Sequence, residues 1–166
     1  SAIVAILPAD DSGYTAIVRG ANNTTGIGVV EVYDLDPSVD SKLANISTRG
    51  FVSTGDNVLI AGTIVVGSSS QKVIVRAIGP SLSIPGKLAN PTLELRDSNG
   101  GLIEANDNWV DSPNKQAIID SSVPPNNDLE SAVVAMLPAN NAGYTAIVRG
   151  VNGTTGIAVV EVYALR

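Results

Sequence analysis

The stretch that decides the fold is SAVVAMLPANNAGYTAIVRGVNGTTGIAVVEVYALR, at residues 131–166. Apolar residues recur in three short runs within it, Ser131 to Leu137, Tyr144 to Arg149 and Ile157 to Leu165. A period of two is typical of β-strands, because successive side chains of a strand point to opposite faces. Gly, Asn and Pro between the runs favour turns. The stretch therefore predicts three strands.

The same stretch opens the chain. Residues 1–36 match residues 131–166 at 26 of 36 positions, without a gap and at an offset of 130. Strands that merely share a pattern would not share so many residues, so the match indicates duplication of a unit of about 130 residues. We expect residues 37–166 to form one complete unit, and residues 1–36 to be three strands at the tail of the preceding unit. The other phase, a unit at residues 1–130 followed by an extra copy, stays open as an alternative.

Five more strand-like runs lie between the two copies, separated by turn-forming residues. They are Ile46 to Val52, Asn57 to Val66, Lys72 to Ile78, Thr92 to Arg96 and Leu102 to Ala105. Only residues 114–120 suit a helical turn. Many short strands at regular spacing predict an all-β fold, an antiparallel β-sandwich.

The last two runs read as a hairpin that is apolar on both faces. Its first face carries Tyr144, Ala146, Val148, Val160 and Val162, and its second face carries Thr145, Ile147, Arg149, Ile157, Val159 and Glu161. A hairpin on a solvated sheet would have one polar face, so we expect the second face to be partly covered. A central strand buried on both sides and a contact between domains explain this pattern equally well.

Composition excludes several kinds of partner. The net charge is -6 and the isoelectric point about 4.4, which opposes binding to a phosphate backbone. No apolar run approaches the roughly 20 residues that a membrane-spanning helix needs. We expect neither nucleic-acid binding nor membrane insertion.

Catalytic chemistry has little support in the residues. The chain has no His and no Cys, which removes His-dependent triads, thiol nucleophiles and zinc sites built from these residues. Glu104, Asp107 and Asp111 surround Trp109 and could form an acid pair of the glycosidase type. A sugar cleft usually stacks several aromatic rings, whereas only 4% of this chain is aromatic. We expect no enzymatic activity and assign no catalytic residue.

Calcium is a better use of the oxygen-bearing side chains in this region. Asp97, Asn99, Asn106 and Asp107 lie in two neighbouring loops and offer the hard oxygen ligands that calcium prefers. An EF-hand does not fit, because the twelfth position counted from Asp97 is Asn108 rather than Glu. The same residue types also close turns through their own backbone, so a purely structural role stays open.

Two longer stretches resemble known bacterial sequences. PTLELRDSNGGLIEANDNW at residues 91–109, with the stretch at residues 130–163, resembles the bacterial pre-peptidase C-terminal domain family. With ANISTRGFVSTGDNVLIAGTIV and VIVRAIGPSL included, the unit is similar to a repeat of about 130 residues in long secreted bacterial proteins. These resemblances imply a jelly-roll-like sandwich, an extracellular or cell-surface location, bound calcium in some members, and no known chemistry.

Together these patterns predict a non-enzymatic extracellular structural or adhesive repeat that associates with copies of itself. Residues 1–36 are too short to be ordered alone, so they pack either on their own chain or on a neighbour. We expect the neighbour, by strand addition into a fibre or a tandem array. A glycan or surface ligand is a further possible partner. The alternative function is a calcium-dependent accessory or ligand-binding module.

Overall fold

The computed structural model describes residues 1–36 and 38–165 and divides into two units, Ser1–Leu43 and Ala44–Arg166. Eight strands lie in the second unit within the described residues. They are β1 (Asn45–Val52), β2 (Leu59–Ile64), β3 (Gln71–Ile78), β4 (Pro91–Arg96), β5 (Leu102–Asn106), β6 (Ser131–Leu137), β7 (Gly143–Gly150) and β8 (Gly156–Ala164). One helix, α1 (Lys115–Asp120), precedes β6, and 3-10 turns occur at Ala21–Asn23, Trp109–Asp111 and Val151–Gly153. The predicted strands of this unit and its helical turn are confirmed to within two residues at each end.

The strands form two four-stranded antiparallel sheets. One has the order β1-β8-β3-β6 and the other β2-β7-β4-β5. This is the order of a jelly roll, so the predicted fold class is confirmed. The predicted hairpin of the last two strands is wrong, because β7 and β8 belong to different sheets. A 3-10 turn at Val151–Gly153, in which Asn152 has a φ of 54°, joins them across the sandwich.

The main core lies between the two sheets. Alternate residues of each strand face inward, as the period of two requires. All five residues of the first face predicted for β7 and β8 are buried: Tyr144, Ala146, Val148, Val160 and Val162. These side chains pack against Val52, Val75, Leu93 and Leu95.

The outer faces of the two sheets differ. Ile118 of α1 is fully buried and packs on Ile74 and Ala132, on the outer side of the sheet that contains β8. Tyr163 packs against this cluster, so a segment of the same unit covers one end of the outer face of β8. On the other sheet, Ile60 and Ile64 are 52% and 57% exposed.

Residues 1–36 and 38–43 contain no strand, and every one of them is exposed. The expectation that residues 1–36 are three strands of a preceding unit stays a prediction, and the strand pairing of the sandwich shows which partners those strands would need. There, β6 pairs with β3, β7 pairs with β2 and β4, and β8 pairs with β1 and β3. Because β6, β7 and β8 never pair with one another, a copy of these three strands carries none of its own partners.

None of the helices in the described residues is long and apolar enough to cross a membrane.

Candidate functional site

The candidate site is the junction between β6–β8 and the rest of the sandwich. We call residues 131–166 the resident segment, residues 45–130 the acceptor and residues 1–36 the donor. In the sheets β8 lies between β1 and β3, and β7 lies between β2 and β4. All the strand pairing of the resident segment is therefore with the acceptor.

Polar contacts fix the resident segment at three places. Ser131 Oγ donates to the Pro91 carbonyl at 2.6 Å, at the start of β6. Arg149 Nη1 of β7 donates to Glu94 Oε1 of β4 at 3.2 Å. On β8, Glu161 Oε2 accepts from Arg76 Nε at 3.0 Å, and both side chains of this ion pair are largely buried.

The Arg76–Glu161 pair extends to Tyr163. The Arg76 guanidinium lies 5.0 Å from the centre of the Tyr163 ring, within range of a cation–π contact. Burial raises the pKa of Tyr163, and the negative charge of Glu161 raises it further. Arg76 Nη1 also donates to the Val123 carbonyl at 2.8 Å, which fastens the segment after α1 to the sheet.

Glu130 organises the acceptor immediately before the resident segment begins. It is fully buried. Its Oε1 accepts from the Gly79 N–H at 3.2 Å, the Ser81 N–H at 2.9 Å and the Ser81 hydroxyl at 2.6 Å. Its Oε2 accepts from the Asn127 N–H at 3.2 Å. The role of Glu130 could not be recognised from the sequence, because nothing in the pattern distinguishes a buried acid from an exposed one.

The donor carries almost every side chain that the resident segment uses against the acceptor. The polar residues recur as Ser1, Arg19 and Glu31. Eight other buried positions of β6–β8 have the same residue in the donor. Seven are apolar side chains and the eighth is a glycine: Ala2, Leu7, Tyr14, Ala16, Val18, Val30, Val32 and Gly26. Two buried apolar positions differ: Val133 corresponds to Ile3 and Ala158 to Gly28.

The turns of the donor also keep the conformation of the resident segment. Tyr14 and Tyr144 each donate to the proline carbonyl six residues earlier, both at 2.8 Å. Asn22 and Asn152 adopt left-handed conformations, with φ of 52° and 54°. The donor thus has the turns of β6–β8 without the strand pairing.

Gly26 and Gly156 occupy equivalent positions in the donor and the resident segment. A Cβ on Gly156 would lie 2.7 Å from the backbone N and Cα of Leu88, because a loop of the acceptor crosses β8 there. The Leu88 N–H donates to the Ile157 carbonyl at 2.8 Å in the same crossing. Gly26, the counterpart, has nothing within 4 Å of its Cβ position. Its present surroundings do not require glycine, whereas the acceptor does.

Charge differs between the copies at one turn. Asp10 stands where the resident segment has Asn140, and the Ser12 backbone N–H lowers the pKa of Asp10. The Ala142 N–H donates to Asn140 Oδ1 at 3.0 Å in the same way. The turn is therefore built alike from either residue.

The four residues predicted to hold calcium do not meet at one place. Asp97 and Asn99 form the turn between β4 and β5, where Asp97 Oδ1 accepts from the Asn99 and Gly101 N–H groups, each at 2.8 Å. Asn106 is the last residue of β5 and Asp107 follows it. The five-residue strand therefore separates these two residues from the turn at Asp97 and Asn99 by about 15 Å. Within the described residues, no three Asp or Glu side chains are grouped closely enough to hold a metal.

The residues around Trp109 have structural contacts. Trp109 Nε1 donates to the Asn127 carbonyl at 3.1 Å, and its ring packs with the Ile118 cluster. Asn106 Oδ1 accepts from the Ala132 N–H at 3.0 Å, and Asn106 Nδ2 donates to the Asn108 carbonyl at 3.2 Å. These contacts fasten the loop after β5 to the sandwich.

Comparison with known proteins gives likenesses among solved structures. No family model matches the chain, and no curated protein matches it. A solved structure, the pre-peptidase C-terminal domain of a collagenase from Bacillus anthracis, is 13% identical and has a TM-score of 0.42. The match covers 71% of this chain and 88% of that domain.

Proposed function

We propose that this protein is a non-enzymatic structural repeat of an extracellular tandem array, in which each β-sandwich is completed by matching β6–β8 with β1–β5. The observation that carries the proposal is the duplicated segment. Its resident copy forms strand pairs only with the acceptor, and its second copy repeats the contact residues without having partners. Residues 1–36 are thus the last three strands of a second sandwich, whose acceptor is another copy of residues 45–130.

A count of strands favours an array over a fibre made by exchange. Each 166-residue chain contains two copies of β6–β8 and one acceptor. Exchange between identical chains leaves one copy of β6–β8 per chain without partners, so it buries no additional surface. With a second acceptor present, docking of the donor would bury additional apolar surface, because the donor counterparts of the core side chains would leave water.

A structural role outside the cell agrees with the other features. Glu130 and the residues around Trp109 hold loops in place through hydrogen bonds, which is a scaffolding role. The resemblance of residues 91–109 and 130–163 to the pre-peptidase C-terminal domain family implies export. A sandwich that meets its neighbours through its own strands could carry adhesion along an extended surface.

The test is a longer chain in which residues 37–130 precede Ser1, so that the donor follows an acceptor. We expect residues 1–36 to become protected from hydrogen exchange to the same degree as we expect for residues 131–165, and the calorimetric enthalpy of unfolding to approach twice that of the 166-residue chain. Residues 1–36 should exchange freely in the 166-residue chain. A longer chain whose residues 1–36 stay unprotected would refute the proposal.

A matched pair of variants controls for a general effect of charge on the donor. Val18 and Ile17 are similarly exposed, at 66% and 69%. Their counterparts differ, since Val148 is fully buried whereas Ile147 faces outward and is partly exposed. Val18→Asp in the longer chain should abolish protection of residues 1–36, and Ile17→Asp should leave most of it.

A further inference from the structure

The connection between the donor and β1 has the length of a hairpin loop. β8 and β1 are antiparallel neighbours, and Tyr163 pairs with Asn45. The donor counterpart of Tyr163 is Tyr33, so residues 34–44 are all that separates the two partners in this chain. Paired residues of antiparallel strands have Cα atoms about 5 Å apart, a gap that eleven residues close readily.

The other end of the donor would also fit the acceptor. Ser131 follows Glu130 in the resident segment, so a docked donor would place Ser1 beside Glu130. The chain would then run as a circular permutant, cut after residue 130 and joined through residues 34–44. Compact domains commonly tolerate such a rearrangement when the new ends are close together.

We propose that the chain has a second folded state, in which residues 1–36 replace residues 131–166 on their own acceptor. This inference rests on the match between donor and acceptor on which the proposed function also depends. It goes further, because it places the donor on its own chain and makes the two copies compete for one position. Both repeat phases that the sequence left open are then states of one molecule.

The core residues decide which state dominates. In the second state, Gly28 would take the position of Ala158, which is fully buried on β8. The core would lose one methyl group, and glycine would stand inside a strand. Ile3 replaces Val133, which is 3% exposed, and so adds a methylene group to a filled position. Both changes favour the resident segment, and the structure accordingly has residues 131–165 in place.

The experiment disables the resident segment and asks whether the donor rescues the fold. Val160→Asp places a carboxylate at a fully buried position of β8. It is made in the full chain together with Gly28→Ala and Ile3→Val, which give the donor the resident core residues. We expect a cooperative thermal transition within about 10 °C of the unaltered chain. Hydrogen-exchange protection should move from residues 131–165 to residues 1–36.

The control adds Val30→Asp, the equivalent change in the donor, to the same chain. This chain should show no cooperative transition, whereas Val30→Asp alone should melt like the unaltered protein. The inference is overturned if the rescued chain is as unfolded as the control. It is also overturned if the rescued chain is folded only as a dimer in sedimentation at low micromolar concentration, because the rescue would then come from a second molecule. Either failure would leave the proposed function standing if residues 1–36 become protected in the longer chain.

Discussion

Removal of the Glu130 carboxylate tests how the acceptor is held in shape. Of its four donors, the Gly79 N–H is on a buried residue, whereas Ser81 is exposed and can turn to water. Glu130→Ala leaves the Gly79 N–H without an acceptor, which costs about 1–3 kcal/mol. The side-chain atoms lost from a fully buried site add about 1 kcal/mol. We therefore expect the free energy of unfolding to fall by about 3 kcal/mol.

Glu130→Gln separates hydrogen bonding from the other effects. The Gln carbonyl can still accept from Gly79 and Ser81, but its amide nitrogen would face the Asn127 N–H, which is also a donor. One bond is lost and the others are no longer charge-assisted, so we expect a decrease of about 1–2 kcal/mol.

Urea unfolding followed by tryptophan fluorescence measures these changes. Trp109 is the only tryptophan of the chain, and its backbone N–H donates to the Glu130 backbone carbonyl at 2.9 Å. The fluorescence therefore reports the region that the substitution affects. Glu104→Ala is the control, because the Glu104 carboxylate accepts no hydrogen bond from the described residues. Equal losses for Glu104→Ala and Glu130→Ala would show that the hydrogen bonds of Glu130 do not stabilise the fold.

Two further predictions concern the glycines and calcium. Gly156→Ala should lower the melting midpoint of the 166-residue chain by several degrees, because its Cβ would lie 2.7 Å from Leu88 backbone atoms, whereas Gly26→Ala should leave the midpoint unchanged. If both changes lower the midpoint equally, the requirement for glycine does not come from the Leu88 backbone. Millimolar calcium should not shift the midpoint, because the predicted ligands lie at both ends of β5. A rise that Asp107→Asn abolishes would instead support the predicted calcium site.

The strands could be predicted from the sequence because their alternation is physical. A strand packed on one core must present apolar side chains at every second position, and turns must interrupt it. Both signals are local, so they located β1–β8 to within two residues. The fold class followed from the number and spacing of the strands.

Strand pairing could not be obtained in the same way. Alternation shows which face of β7 or β8 is buried but not which strand lies beside it. The two strands share one core from opposite sheets, and this gave the appearance of a hairpin with a common inner face. Their second faces also lie on opposite sides of the sandwich, and the cluster around Ile118 of α1 meets the face of β8 at Tyr163 and includes no residue of β7.

The candidate site could be predicted in part. The duplication is visible in the sequence, so the donor and the resident segment could be identified from it. The acceptor contacts were not visible, since Arg76, Glu94 and Glu130 are far from their partners along the chain. The oxygen-bearing residues from Asp97 to Asp107 are close in sequence, but β5 is extended and holds its two ends apart.

The differences between the two copies indicate what the acceptor requires. Nine of the ten differing positions have a described counterpart in the resident segment, and only Val133 and Ala158 among them are buried. The other differences fall on exposed or partly exposed positions, where substitutions generally change stability little. A segment that only linked domains would have no physical reason to keep valine at positions 18 and 30, the counterparts of the buried Val148 and Val160, or glycine at position 26. The retained set is the one that contacts β1–β4, which is why we assign the donor to an acceptor rather than to a linker.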